Sequence, residues 1–305
     1  MNMTPQNMNE VESEEKEQGR KIEINEDSLP SPAAALHEQI RQEGEKELER
    51  DGMALLLSAI AAGISMGASL MAKGIFHVHL NGIPGGFLLE NIGYTFGFVI
   101  VIMARQQLFT ENTLTAVLPV MHKPTPGNAR LLFRLWGLVL LGNLLGTALV
   151  ALAFAQLPVF NEATRAAFTS LSAEVMHNPP GEMFANAIIS GWIIATMVWM
   201  LPAADGAAKL WVIIIMTGLV GLGDLTHIVV GSAEILYLVF NGTIGWQEFI
   251  WPFALPTLAG NIIGGTFIFG LISHVQIRND MSNHAKMQAA RQASAREKQK
   301  ADNAG

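Results

Sequence analysis

One histidine and one threonine stand out by their surroundings. His227 ends the run Gly221-Leu222-Gly223-Asp224-Leu225-Thr226-His227, and Thr110 lies in Arg105-Gln106-Gln107-Leu108-Phe109-Thr110-Glu111-Asn112. Each polar run interrupts a long apolar stretch, about Gly85 to Met121 and about Leu210 to Phe240. An ordinary histidine titrates near pH 6.5, so His227 is the side chain suited to proton exchange near working pH. A break inside an apolar helix frees backbone groups, which persist at membrane depth only if buried in protein or lining an aqueous cavity. It also creates a half-helix N-terminus, whose partial positive charge and free N–H groups favour an anion. Thr110 is expected to cap the half-helix starting at Glu111, and Thr226 the one starting at His227. A small anion held near Thr110 and His227 is the chemistry these residues imply. Arg105, a permanent cation at that depth, requires a partner. Glu111 and Asp224 are the acids available, as an ion-pair network tying the two breaks together or as neighbours of a fixed charge that attracts anions.

The elements that must position these groups are membrane spans. Of 305 residues, 50% are hydrophobic and only 15% charged, against about 25% in soluble domains. Charge is concentrated in the tails: residues 1–51 carry 14 acids and 6 Lys/Arg, and residues 275–305 six more Lys/Arg. Six stretches are long enough for the roughly 20 residues a bilayer needs, the others being about Met53–Ala72, Leu131–Leu157, Met183–Leu201 and Pro252–Ser273. Counting Lys and Arg by side favours six spans with both termini cytoplasmic over eight spans. Trp246 and Trp251 then fall in the last outer loop as interfacial anchors.

The chain repeats itself. Gly142-Asn143-Leu144-Leu145-Gly146-Thr147 and Gly260-Asn261-Ile262-Ile263-Gly264-Gly265 each follow a broken span. The pattern plain, broken, Gly-Asn-x-x-Gly occurs twice. Three spans is an odd number, so the second half is inserted inverted, as in transporters and channels with discontinuous helices. Gly142, Asn143, Gly146, Gly260, Asn261 and Gly264 are read as close-packing positions. The spacing to these motifs pairs Thr110 with His227.

Leu108-Phe109-Thr110, His227, the downstream Gly260–Gly265 motif, and Phe184, Ala187 and Gly191 together resemble the formate/nitrite transporter family over about residues 50–275. The resemblance implies an all-α, six-helix, aquaporin-like fold of two inverted repeats with broken second and fifth helices. It also implies a pentamer with one pore per subunit. His227 matches the pore histidine, Thr110 the threonine facing it, and Phe109 the adjacent aromatic gate. Phe98, Val198 and Val220 fall on apolar constriction positions. The chain departs from the family at Arg105 and Gln107, where small and acidic residues are usual. It has Gly231 and Ala195 where asparagines are usual. It lacks a lysine at the approach to the fourth span, where Ser172–Met183 offers only Glu174, His177 and Glu182 as ionisable side chains.

The implied function is transport of a small monovalent anion such as formate or nitrite, coupled to a proton at His227. The anion meets Thr110 and His227, takes a proton directly or through a water, and passes the apolar constriction as the neutral acid, because desolvating the bare anion is costly. The alternative is a non-conducting or regulatory membrane protein of the same fold, with its tails as interaction elements. Expected partners are the anion, protons, membrane lipid and four further copies of the chain in the cell inner (plasma) membrane. No cofactor or metal is expected. A net charge of −7 and the missing basic stripe argue against nucleic acid. Absence of cysteine excludes thiol chemistry. Ser232 with His227 lacks the arrangement of a serine hydrolase, so no enzyme is expected. His77 and His79 are read as solvated residues of the first outer loop.

Three segments result: a cytoplasmic acidic tail over 1–50, a pore domain over 51–275 and a basic cytoplasmic tail over 276–305. The tail's first 30 residues are read as disordered, and Ser31-Pro32 as the start of a helix reaching about residue 50.

Overall fold

The computed structural model describes residues 29–302, and among them every regular element is helical. The opening acidic segment, for which the sequence predicts disorder, falls on residues 1–28, outside the described residues. Helix α1 (Pro32–Glu49) begins as expected, with Ser31 Oγ accepting a hydrogen bond from the Ala34 N–H at 3.3 Å and proline in the first turn.

The first span is α2 (Gly52–Leu80), capped by Asp51, whose Oδ1 accepts from the N–H groups of Met53 and Ala54. Its helix runs to Leu80, so His77 and His79 sit in its last turn rather than in a loop, and His77 Nδ1 lies 2.9 Å from Glu90. The second span is α3 (Gly86–Met103), followed after a break by the short α4 (Phe109–Asn112) and α5 (Val117–His122). The third is α6 (Pro126–Gln156). Helix α7 (Glu162–Val175) fills the connection to the fourth span, α8 (Pro180–Met200). The sequence advertises α7 through Asn161, whose side chain caps Thr164 N–H at 2.9 Å, with Glu162 in the first turn. The fifth span is two half-helices, α9 (Ala207–Leu222) and α10 (Ile228–Phe240). The sixth is α11 (Trp246–Glu248), α12 (Leu255–Ile262) and α13 (Ile272–Asp302), joined by π-helical turns.

Five of these helices are long and apolar enough to cross a membrane. Their outer faces carry large exposed apolar side chains, including Leu57, Leu88, Phe133 and Trp211, as a lipid-facing or subunit-facing surface requires.

Small residues let the plain and third spans of each half touch backbone to backbone. A Cβ at Gly146 of α6 would overlap the Ile60 carbonyl of α2. One at Gly264 of the sixth span would overlap the Ile188 carbonyl of α8. The two halves therefore use the same packing device.

The asparagines between those glycines do more than pack. Asn143 Oδ1 accepts from the Phe109 N–H at 2.8 Å, and its Nδ2 donates to the carbonyls of Ala59 and Gln107. Asn261 Oδ1 accepts from the Ile228 N–H at 2.9 Å, and its Nδ2 donates to the Ala187 carbonyl and Ser190 Oγ. Each asparagine thus serves backbone groups that a broken span leaves over.

This correspondence fixes the internal register: Phe109 pairs with Ile228, Leu108 with His227 and Arg105 with Asp224. Arg105 and Asp224 agree with it, being the two non-glycine residues with positive φ among the described residues, at 52° and 46°. The sequence spacing, which pairs Thr110 with His227, is two residues out of register, because it counts to the glycines rather than to the backbone groups the asparagines bind. Thr110 is not the counterpart of His227; it reaches across from the other half.

The terminal helices meet at one face of the molecule. His37 Nε2 of α1 lies 3.1 Å from His274 Nδ1 of α13. Helix α1 buries Ala34, His37, Ile40, Gly44 and Leu48, so its charged face is only half of it. Through Glu47, which accepts from Gln107 Nε2 at 2.8 Å, α1 also touches the break in the second span.

Candidate functional site

Thr110 and His227 meet where the two breaks face each other. Both are buried, and Thr110 Oγ1 lies 2.8 Å from His227 Nε2. Neither expected threonine cap forms. Leu108, in extended conformation, is the cap residue of α4, and it offers no side-chain acceptor. His227 itself caps α10: its Nδ1 accepts from the N–H groups of Val229 and Val230 at 3.3 Å. Thr226 instead donates to the Met183 carbonyl at 2.6 Å, while its own carbonyl accepts from Ser190 Oγ at 2.5 Å.

These caps assign the histidine tautomer. Nδ1 accepts two backbone N–H bonds and so carries no proton, which leaves the proton of the neutral ring on Nε2, donating to Thr110. A second proton on Nδ1 would displace both cap bonds. The arrangement holds His227 as a fixed donor at the meeting point of the two halves.

Apolar rings surround the pair. The ring of Phe98, fully buried on α3, stands edge-on to His227 at 5.2 Å between centroids. Phe109 is buried, its N–H held by Asn143 and its ring 5.8 Å from Trp136. Val220 shares a cavity with His227. Val198 is buried on α8 beside Trp199, whose ring lies 6.1 Å from that of His37, and so belongs to the side of the terminal helices. The structure therefore brings Thr110, His227 and Phe98 together, with Val220 lining the cavity that His227 also lines.

The cavity on the Val220 side has a volume of about 290 Å³ and ends at His227. Lys73 of α2, Tyr94 of α3, Glu174 of α7, His177, Asp224 and Glu234 of α10 supply its titratable lining.

The expected network of Arg105, Glu111 and Asp224 does not form. Arg105 and Asp224 are exposed at their respective breaks, Glu111 is half-buried, and no ion pair joins them among the described residues. Inverted symmetry explains this: as register equivalents, Arg105 and Asp224 sit at opposite ends of the two-fold relation. Gln107, rather than Arg105, organises the first break, with its N–H donating to Ser58 Oγ at 3.1 Å and its Oε1 accepting from Asn112. Ser232 Oγ donates to the Ile228 carbonyl one turn back.

The formate/nitrite transporter family model matches residues 34–275. The chain belongs to the formate/nitrite transporter family. Among relatives of the family, it is 74% identical over 284 residues to the inner membrane protein YfdC of Escherichia coli (strain K12), covering 93% of this chain and 91% of that one. It is 24% identical to the formate channel FocA of Haemophilus influenzae, over 69% of this chain and 83% of that one. Among solved structures it resembles a pentameric formate channel with formate bound, with a TM-score of 0.63 and 21% identity, over 72% of this chain and 95% of that one. That likeness establishes the aquaporin-like helical fold of the family. The protein is a multi-pass inner-membrane protein of a transporter family.

Two functional features are not marked by the sequence motifs. Glu234 follows the polar run by seven residues and lies inside the apolar stretch; an acid in that stretch is the available signal. The bonding role of Asn143 and Asn261 was legible as an asparagine in an otherwise apolar helix, a costly residue unless it has partners.

Proposed function

We propose that the protein carries a small monovalent weak-acid anion of the formate or nitrite class across the inner membrane together with a proton, one pathway per subunit of a homopentamer. The carrying observation is the buried Thr110–His227 pair at the junction of two broken spans. An anion entering from the cavity meets His227 and, by displacing the Thr110–His227 bond, gains an imidazole N–H and a hydroxyl as donors. Beyond them lie Phe98, Phe109 and Val198, which offer nothing to a charge. Desolvating an unpaired anion there costs several kcal/mol or more, whereas the neutral acid needs only a hydrogen-bond partner. The transported species is therefore the neutral acid, formed at the cavity's end, and His227 holds it during passage. Both tails lie on the cytoplasmic side in this reading, and the Val220-side cavity opens outward.

Stopped-flow flux into proteoliposomes loaded with a pH dye tests the proposal, with formate, nitrite, acetate and chloride as solutes. Flux of a weak-acid anion with proton movement, abolished by His227→Phe, is expected. Unaltered uptake in that variant would remove His227 from the pathway.

A further inference from the structure

The proposed function needs a proton at the cavity's end, and His227 is a poor source because both its nitrogens are engaged. Nδ1 receives two backbone N–H bonds, and Nε2 is bonded to Thr110. Another group must handle the proton.

Glu234 is placed to do so. It is only 5% exposed, lies in the second half of the broken span, and makes no hydrogen bond or ion pair with any described residue. An acid buried without a partner is costly, and it persists here facing the cavity it lines. It lies seven residues after His227, two helical turns and roughly 10 Å along α10, with Gly231 on the same face between them. All three line the cavity. Glycine there lets the Phe253 ring close on the cavity wall, since a Cβ at Gly231 would stand 2.7 Å from that ring. Tyr94 Oη, also buried without a hydrogen-bond partner among the described residues, lines the same space.

We infer that Glu234 is the proton-relay residue of this pathway, passing protons between the outer solution and the anion held at Thr110 and His227. The inference rests on the proton-coupled reading above. The cavity is large enough for a short chain of waters, each occupying about 30 Å³, and ordered waters bridge polar groups well. During uptake the O–H bond of the Glu234 carboxyl breaks and an O–H bond forms on the anion. The Glu234 carboxylate then regains a proton from outside through the mouth formed by Glu174 and His177. One proton and one anion cross, and Glu234 returns to its starting state. The other titratable groups lining the cavity with it are Lys73 of α2, Tyr94 of α3, Glu174 of α7, His177, Asp224 and His227, while the sixth span presents only Phe253. Lys73 makes no ion pair among the described residues, so it is free to draw the anion in. Anion and proton thus meet in one vestibule.

Formate uptake by full-length protein in proteoliposomes, measured across external pH 5 to 8, tests this. Glu234→Gln is expected to lower flux at least about tenfold, a typical worth for a positioned proton-transfer group being larger still, and to flatten its dependence on external pH. Glu234→Asp is expected to restore the pH dependence at a reduced rate. If Glu234→Gln does not assemble, the Asp variant decides alone, and a wild-type rate and profile there overturn the relay. Wild-type flux and profile in Glu234→Gln, with flux still dependent on His227, overturn the relay and leave the proposed function standing. No flux of formate or nitrite in the wild-type protein overturns both.

Discussion

Replacing Asn143 or Asn261 by alanine tests whether two side chains hold the broken spans. Asn261→Ala removes the acceptor of the Ile228 N–H and the donor serving the Ala187 carbonyl, at a site with no exposure. Leaving one buried backbone N–H unpaired costs about 1–3 kcal/mol. The lost donor and the small void bring the expected cost to about 2–4 kcal/mol. Asn143→Ala exposes the Phe109 N–H to the same loss. The two sites share no partner, so their effects are expected to add within about 0.5 kcal/mol. Hydrogen exchange of peptides spanning 105–112 and 224–231, read by mass spectrometry, reports the opening of each break. Each variant is expected to speed exchange about 30- to 1,000-fold in its own half, since 1.4 kcal/mol is a factor of ten. Exchange in the opposite half stays unchanged. Less than a threefold change, or equal changes in both halves, would refute the claim that each asparagine secures its own break.

Arg105→Gln is expected to change stability by less than about 0.5 kcal/mol, because no ion pair is lost. Arg105→Gly is expected to raise it by up to about 1 kcal/mol by relieving the left-handed backbone; thermal melting of the assembled protein distinguishes these from a buried ion pair, whose loss would destabilise. Gly264→Ala is expected to destabilise by about 1–3 kcal/mol through overlap with the Ile188 carbonyl, whereas Gly181→Ala, with no heavy atom within 4 Å, stays near neutral. Burial, and next the neighbouring His274, pull His37 from 6.5 down to about 4. Its folded-state value is depressed, so the undocked helix binds more protons below pH 6.5. Docking of α1 is therefore full above pH 6.5 and weakens progressively as pH falls toward 4. Limited proteolysis within residues 32–49 is expected to accelerate over that window, and His37→Phe to flatten the response.

The sequence made the six spans legible because apolar length is a strong signal and the tails hold nearly all the charge. It also made the two breaks legible, since Arg105–Asn112 and Gly221–His227 have no place in an uninterrupted apolar helix. Thr110 and His227 are legible through their motifs, and the structure brings them within 2.8 Å. What failed was local geometry. Thr226 looked like a cap by residue type, but helix α10 starts one residue later, and its carbonyl and hydroxyl serve α8 instead. A break at the bilayer centre calls for a buried partner for Arg105, whereas the fold carries that residue to an exposed edge. Helix α7 is short and amphipathic and so carries no span-length apolar signal, yet it supplies Leu171 and Glu174 to the cavity wall. Glu234 was hidden by its neighbours: hydropathy averages over a window, and one acid among Ile, Val and Leu barely moves the average.

The claim that the substrate crosses as a neutral acid is tested most directly by charge movement in the wild-type protein. Formate flux and proton flux would be followed together in proteoliposomes while a potassium gradient with an ionophore sets the membrane potential. The account predicts one proton per formate and a rate independent of the potential. A formate current that follows the potential without accompanying proton uptake would contradict it.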